Sequence, residues 1–323
     1  MRKSMYAHFD EQGRLILPEE LQKAWGIQPG IRVRIDPDGE SVSLRPPNST
    51  LRRVYVELTN QCNLNCSTCM RNVWDVKYGC MVDETFERIL RGLASFTPKP
   101  EIFFGGYGEP LSHPACLDML RKVKALGFRA SLITNGTLLT EKASSSLIEL
   151  GLDMLWVSLD GASPECYTDV RLGNALPEII ANLKRLRALQ YQNAWISSTP
   201  MKPNLGIAFV AMQRNIHDLP RVVRLGIQLG ATEFSVSNVL AHNQGLLAEN
   251  LYTRSLDMVG SSNAQRWKPI VNFPRMDINN KTSEVISSLL KGDQRTILFG
   301  SELGGNGDRC PFVERGSLTI RWD

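Results

Sequence analysis

Long apolar runs are missing from this chain. No segment of its 323 residues approaches the roughly 18 consecutive apolar residues that span a bilayer, so no membrane-spanning helix is expected. The opening Met-Arg-Lys-Ser-Met-Tyr lacks the apolar core of a signal peptide, and the protein reads as cytoplasmic. Net charge is scarce too. At +4 it is too small to argue by itself for a nucleic-acid partner. Histidine occurs four times, at 8, 113, 217 and 242, with no ligand spacing, and none is assigned a role. What is present is an ordinary globular composition, 42% apolar and 22% charged, in a chain long enough for one large domain and a small one. Cysteine stands apart. The seven cysteines, at 62, 66, 69, 80, 116, 166 and 310, are odd in number, and three are clustered. In a reducing compartment this argues for metal rather than disulfides.

Residues 1–48 read as a separate module. Tyr6–Phe9 and Arg14–Leu17 are strand-like around the turn Asp10-Glu-Gln-Gly13. Pro18 sits at a helix start, where its missing N–H costs nothing, and Glu19–Trp25 is predicted helical, ended by Gly26. Arg32–Ile35 and Ser41–Leu44 flank Asp36-Pro-Asp-Gly39 as a hairpin. So short a module buries too little for a good core alone. Within residues 1–50 seven Lys/Arg are balanced by seven Asp/Glu, which equips the module poorly for the phosphate contacts that dominate nonspecific DNA affinity. Dimerisation or partner binding is favoured over DNA binding.

After the linker Pro46-Pro-Asn-Ser49 the chain alternates strands and helices, the signature of a parallel sheet. Strands are predicted at Arg53–Thr59, Glu101–Phe104, Ala130–Ile133, Met154–Leu159, Gly206–Met212 and Glu233–Ser237. The intervening helices begin near Asp83, with Phe86, Ile89, Leu90 and Leu93 along one face, and continue at Leu117–Leu126, Glu141–Leu150, Pro177–Leu189 and Leu219–Leu229. Six cycles over residues 49–240 fit an α/β fold, a partial (β/α)6 barrel. Such barrels build their sites at the C-terminal ends of the strands. Residues 241–309 read as an irregular covering segment with glycine-rich loops, Gly304-Gly-Asn-Gly307 among them.

The motifs follow the strands. Cys62-Asn-Leu-Asn-Cys66-Ser-Thr-Cys69 comes after the first. Three close thiolates on a loop can reach one centre and leave a fourth position open, since both iron–sulfur clusters and closed zinc sites want four ligands. Zinc completed by Cys80 or a histidine is the alternative. After the second strand comes Gly105-Gly-Tyr-Gly-Glu-Pro110, where glycines let backbone approach a ligand and a carboxylate is placed to pair with an ammonium, unless it is a solvated turn. Thr134-Asn-Gly136 follows the third and Ser158-Leu-Asp-Gly161 the fourth. Ser158 and Asp160, two apart on a strand, share a face.

The x3-x2 cysteine triplet with these downstream motifs resembles the radical S-adenosylmethionine (radical SAM) enzymes. The resemblance implies that Cys62, Cys66 and Cys69 hold three irons of a [4Fe-4S] cluster and that SAM chelates the fourth. Reductive cleavage of SAM then releases a 5'-deoxyadenosyl radical that abstracts hydrogen from the substrate. By the same resemblance Gly106, Gly108 and Glu109 hold the SAM amino group. Asn135 belongs to the same cofactor site, Ser158 and Asp160 meet ribose hydroxyls or the carboxylate, Arg171 meets the carboxylate, and Val210 and Met212 flank adenine. Arg171 as a surface arginine and Val210 and Met212 as plain barrel core stay open. The family's aromatic residue before the third cysteine is Thr68 here, which removes that adenine contact.

Residues 1–48 resemble the AbrB-type swapped-hairpin domain, which implies an intertwined homodimer. Residues 310–323, from Cys310-Pro-Phe onward, resemble the start of a SPASM domain, the extension that carries auxiliary clusters. The chain stops where the further cysteines of that domain would follow, as a fragment or after loss of the extension. The Cys-Met-Arg-Asn-x-Trp continuation of the triplet resembles proteins that modify the tungsten cofactor of aldehyde:ferredoxin oxidoreductase. The resemblance implies a peptide, protein or cofactor-precursor substrate and a ferredoxin or flavodoxin electron donor. The alternatives are a DNA-binding regulator using the cluster as redox or SAM sensor, and a zinc-bound structural protein.

Overall fold

A computed structural model describes residues 5–25, 27–31, 33–38, 41–45, 51–73, 75–163, 175–197, 200–251, 270–273, 279–290, 295–298 and 316–323. The N-terminal module has the expected elements. Strands β1 (His8–Phe9) and β2 (Leu15–Ile16) form an antiparallel pair, helix α1 (Glu19–Trp25) follows, and β3 (Arg34–Asp38) pairs antiparallel with β4 (Ser41–Arg45). Asp36-Pro-Asp38, read as turn, belongs to β3, with Asp38 opposite Ser41; a two-stranded ribbon is all edge, where proline costs little. No described side chain of residues 5–45 is fully buried.

The body is one nine-stranded parallel sheet. Its elements are β5 (Arg53–Val56), α2 (Asp83–Ala94), β6 (Glu101–Phe104), α3 (Cys116–Ala125), β7 (Ala130–Thr134), α4 (Glu141–Glu149), β8 (Met154–Ser158), α5 (Ala175–Ser197), β9 (Asn204–Ala211), α6 (Leu219–Gln228), β10 (Ala231–Asn238), α7 (Gln244–Leu247), β11 (Ile270–Phe273), α8 (Asn280–Leu290), β12 (Arg295–Leu298) and β13 (Ser317–Ile320). Strand order is β12-β11-β10-β9-β8-β7-β6-β5-β13. All six predicted strands are present as a curved α/β half-barrel with β12 and β13 at its edges.

Residues 241–309 differ from expectation. Their described parts hold α7, β11, α8 and β12, and the two strands extend the sheet in parallel register. Helix α5 runs 23 residues, past its predicted end at Leu189.

The two faces of the sheet divide the labour. Val54, Val56, Ile102, Phe104, Leu155 and Val157 are buried against the helices, where Phe86 of α2 meets Phe104 at 6.1 Å between ring centroids. The alternate residues form the concave face. There Tyr55 and Phe103 lie 4.9 Å apart, Trp156 lies across Gly206, and Arg53 pairs with Glu101 at 2.8 Å. A Cβ at Gly206 would stand 2.5 Å from the indole.

The end opposite the strands' C-termini is tied by Asp153. Its carboxylate takes Lys124 at 2.5 Å, Lys202 at 2.6 Å and the Ala130 N–H at 2.9 Å. Burial alone would raise its pKa, but these three partners outweigh burial and hold it at about 2. A depressed carboxyl stabilises the fold above the unfolded-state value near 4, and that stability is lost as pH falls toward 2. Asp153→Asn is expected to cost about 2 kcal/mol at pH 7 and about half that at pH 3, measured by urea unfolding at both pH values.

Candidate active site

The cysteine loop leaves β5 and is closed by side chain–backbone bonds. Asn60 Nδ2 donates to Lys77 O at 2.9 Å, its Oδ1 accepts the Gly79 N–H at 2.8 Å, and Thr59 Oγ1 donates to Gly79 O at 2.7 Å. Trp322, just past β13, lies against Gly79, where any Cβ would sit 2.1 Å from the ring. Within the loop Asn72 donates to Cys66 O at 2.9 Å, and Arg71 donates to Cys62 O at 3.3 Å and Leu64 O at 2.5 Å.

Cys66 is buried, and Cys62 and Cys69 are half-buried; all three are free thiols. The Leu64 N–H points to Cys62 Sγ at 3.4 Å and Asn135 Nδ2 lies 3.8 Å away. Burial, reinforced by the charge of Glu109, raises the Cys62 thiol's pKa against the pull of Leu64, Arg71 and Asn135. Binding a metal as thiolate therefore expels a proton. The Cys80 thiol lies 3.3 Å from Thr59 Oγ1. Among the described residues no three His, Cys, Asp or Glu side chains gather about one point as a single ion demands. Three thiolates that each serve a different iron have no such requirement. Free thiols at this spacing, with N–H donors on one sulfur, suit the cluster that the motif implies, since such hydrogen bonds are among the levers of cluster potential.

The glycine-rich loop after β6 is locked onto the cysteine loop. Glu109 N–H donates to Gln61 O at 2.8 Å. Gly108 is required by this approach, because a Cβ there would fall 2.0 Å from Thr59 O and 2.7 Å from Gln61 O. A Cβ on Gly106 would meet the Glu57 carboxylate at 2.5 Å. Glu57 is buried, accepts the Tyr107 N–H at 2.7 Å and faces Arg321 at 3.6 Å; burial raises its pKa despite both.

The Glu109 residue is 2% exposed, and its carboxylate accepts hydrogen bonds from Leu111 N–H (3.1 Å), Thr134 Oγ1 (2.8 Å) and Asn135 N–H (2.7 Å). It ties the β6 loop to the β7 loop. Glu109→Gln would turn one acceptor into a donor facing a buried donor, at about 1–3 kcal/mol. The expected readout is a lower Tm of the cofactor-free protein.

Asn135 donates to Asn63 Oδ1 at 2.8 Å and accepts the Thr137 N–H at 2.9 Å, so the third motif touches the cysteine loop directly. Gly136 has φ +83°, which glycine adopts freely. Ser158, at the end of β8, is half-buried. Asp160 was expected, with Ser158, to meet ribose hydroxyls or the carboxylate. It is fully buried and its Oδ1 accepts the Val210 N–H at 2.7 Å, which fixes β9 to the β8 loop. Val210 and Met212 lie together in a small apolar cluster with Val239 and Leu246. Arg171, Cys166 and Cys310 lie outside the described residues.

Sequence reasoning missed Glu57 and Arg71. The signal for Glu57 was a lone carboxylate inside Val54-Tyr-Val-Glu-Leu58, a strand otherwise apolar or aromatic. Arg71 was read only as part of the Cys-Met-Arg-Asn-x-Trp run that follows Cys69.

Residues 56–204 match the radical SAM superfamily. Over 273 residues the chain is 34% identical to the tungsten-containing aldehyde ferredoxin oxidoreductase cofactor-modifying protein of Pyrococcus furiosus, covering 84% of this chain and 69% of that one. Its fold is similar to that of Streptococcus suis SuiB, with a TM-score of 0.55 at 12% identity over 84% of this chain and 58% of SuiB. Against SuiB bound to its precursor peptide SuiA, the TM-score is 0.50 at 16% identity over 60% of this chain and 40% of that chain. The chain belongs to the radical SAM superfamily and is an enzyme. It thus spans about two thirds of its curated relative and less of SuiB. Among the described residues no helix is long and apolar enough to cross a membrane.

Proposed function

We propose that this protein holds a [4Fe-4S] cluster on Cys62, Cys66 and Cys69 and cleaves SAM reductively to modify a cofactor precursor, or a peptide or protein. The observation that carries the reading is the join of three motif loops at the C-terminal ends of neighbouring strands. Glu109 N–H meets Gln61 O, and Asn135 bridges to Asn63 beside Cys62. When bound, the cluster would supply the electron that breaks a carbon–sulfur bond of SAM.

The chain's own residues do the rest. Gly106 and Gly108 keep the mouth of the barrel clear of side chains beside the cysteine loop. Glu109 and Asn135 hold the two neighbouring loops in register beside the place proposed for the SAM amino group. Asp160 keeps β9 in place, so that Val210 and Met212 form an apolar wall suited to adenine. Ser158 and Arg171 complete the set, toward ribose and carboxylate. The cofactor-precursor arm is supported by the name of the Pyrococcus furiosus relative, and the peptide arm only by likeness of fold to SuiB.

Ferredoxin or flavodoxin is the proposed electron donor and the cytoplasm the proposed location. Residues 1–48 serve as an AbrB-like dimerisation module, consistent with the absence of any fully buried described side chain there. The test is anaerobic reconstitution with iron and sulfide, then electron paramagnetic resonance of the reduced protein with and without SAM. A reduced [4Fe-4S] signal that shifts on adding SAM, with 5'-deoxyadenosine formed, is expected. No cluster, or a cluster blind to SAM, overturns the reading.

A further inference from the structure

We infer that Arg71 is the charge that sets the reduction potential of the cluster, a positioning and electrostatic residue rather than a ligand; this rests on the proposed function. The guanidinium grips the cysteine loop from inside. Its two terminal nitrogens donate to Cys62 O and Leu64 O, and its Nε is buried with no hydrogen-bond partner. One face lies over the Tyr78 ring at 5.8 Å. It also lines, with Asn60, Val76, Tyr107 and Arg321, a small recess beside the cysteine loop.

No Asp or Glu among the described residues lies within ion-pair distance of Arg71. Arg321, across the same recess, has both Glu57 and Asp323. Among the described residues Arg71 is therefore a half-buried cation whose near contacts include two carbonyl oxygens and a ring. An uncompensated buried charge is costly unless something opposite arrives. Three thiolates bring three negative charges to this loop, one of them on the residue whose carbonyl Arg71 holds. A fixed positive charge beside a cluster favours its one-electron reduction by an external low-potential donor, because the added electron is attracted. Two carbonyl bonds hold the charge in place, so it needs no reorganisation when the electron arrives.

The test is a spectroelectrochemical titration of reconstituted wild type, Arg71→Lys and Arg71→Gln, with iron content measured for each. Arg71→Gln is expected to keep its iron and to be at least about tenfold less reduced at a fixed potential, which is a shift of 59 mV to the negative for a one-electron couple. Arg71→Lys is expected to stay near wild type. An unchanged potential in Arg71→Gln overturns the inference. So does an equal shift in both variants, which would assign the effect to lost hydrogen-bond geometry. If Arg71→Gln fails to retain iron, Arg71→Lys decides: iron held at the wild-type potential upholds the role of charge, and loss of iron overturns it. A wild type that takes up no cluster would instead sink the proposed function, which keeps the two failures apart.

Discussion

Cys66→Ser should fold with a Tm near wild type, yet fall from about four irons per chain to background after reconstitution and form no 5'-deoxyadenosine. Cys66 is the buried member of the triplet. Its carbonyl is bonded by Asn72 Nδ2 at 2.9 Å and by the Cys69 N–H at 3.1 Å. Serine keeps those backbone bonds and nearly the same volume, so the apo loop should survive. A hydroxyl is a harder and far less acidic donor than a thiol, and iron–sulfur chemistry selects soft thiolates. Iron and sulfide assays with a melting curve separate the two effects. Full iron in Cys66→Ser would show that this residue is not a ligand.

Gly108→Ala should act by the opposite route, disturbing the loops without touching a donor. The added methyl would lie 2.0 Å from Thr59 O, well inside contact distance, and the obstacle is backbone rather than a flexible side chain. Overpacking of this kind costs about 1–3 kcal/mol, and more where nothing can give. The Glu109 N–H bond to Gln61 O would open, and the segment leading into Cys62 would be pushed from its place. The expected result is a lower Tm together with weaker SAM binding, read by calorimetry on anaerobic protein. Gly105→Ala offers a contrast. Its Cβ would meet first the side chains of Ile133 and Phe103 rather than backbone, so it should destabilise without moving the cysteine loop. If Gly108→Ala binds SAM as wild type does, the close approach of the two loops has no part in the site.

Much of the barrel was legible because alternation is a local property. Val54, Ile102, Leu132 and Leu155 sit in short apolar runs followed by amphipathic helices, and each strand was found where expected. The motif positions followed, since a residue run placed after a parallel strand has to emerge at its C-terminal end. Strands β11, β12 and β13 were not read from the sequence: unlike the equally short β5 and β6, none of them is followed by one of the motifs that mark the strand ends. Glu109 and Asp160 were identified as important, but not as buried clamps on backbone N–H groups.

The sequence alone determined the alternation of β5 to β10 with their helices, the three clustered thiols and the end of the sheet to which the motifs belong, all from spacing along the chain. Only the tertiary structure decided what each polar side chain does there. Glu109 meets Asn135 across 26 residues, Asp160 meets Val210 across 50, and Glu57 meets Tyr107 across 50. Which buried donor lies within reach of a carboxylate depends on how neighbouring strands register and where their loops turn. Arg71 is the clearest case, because which groups surround a guanidinium is a property of the space around it and is not read from the residues beside it.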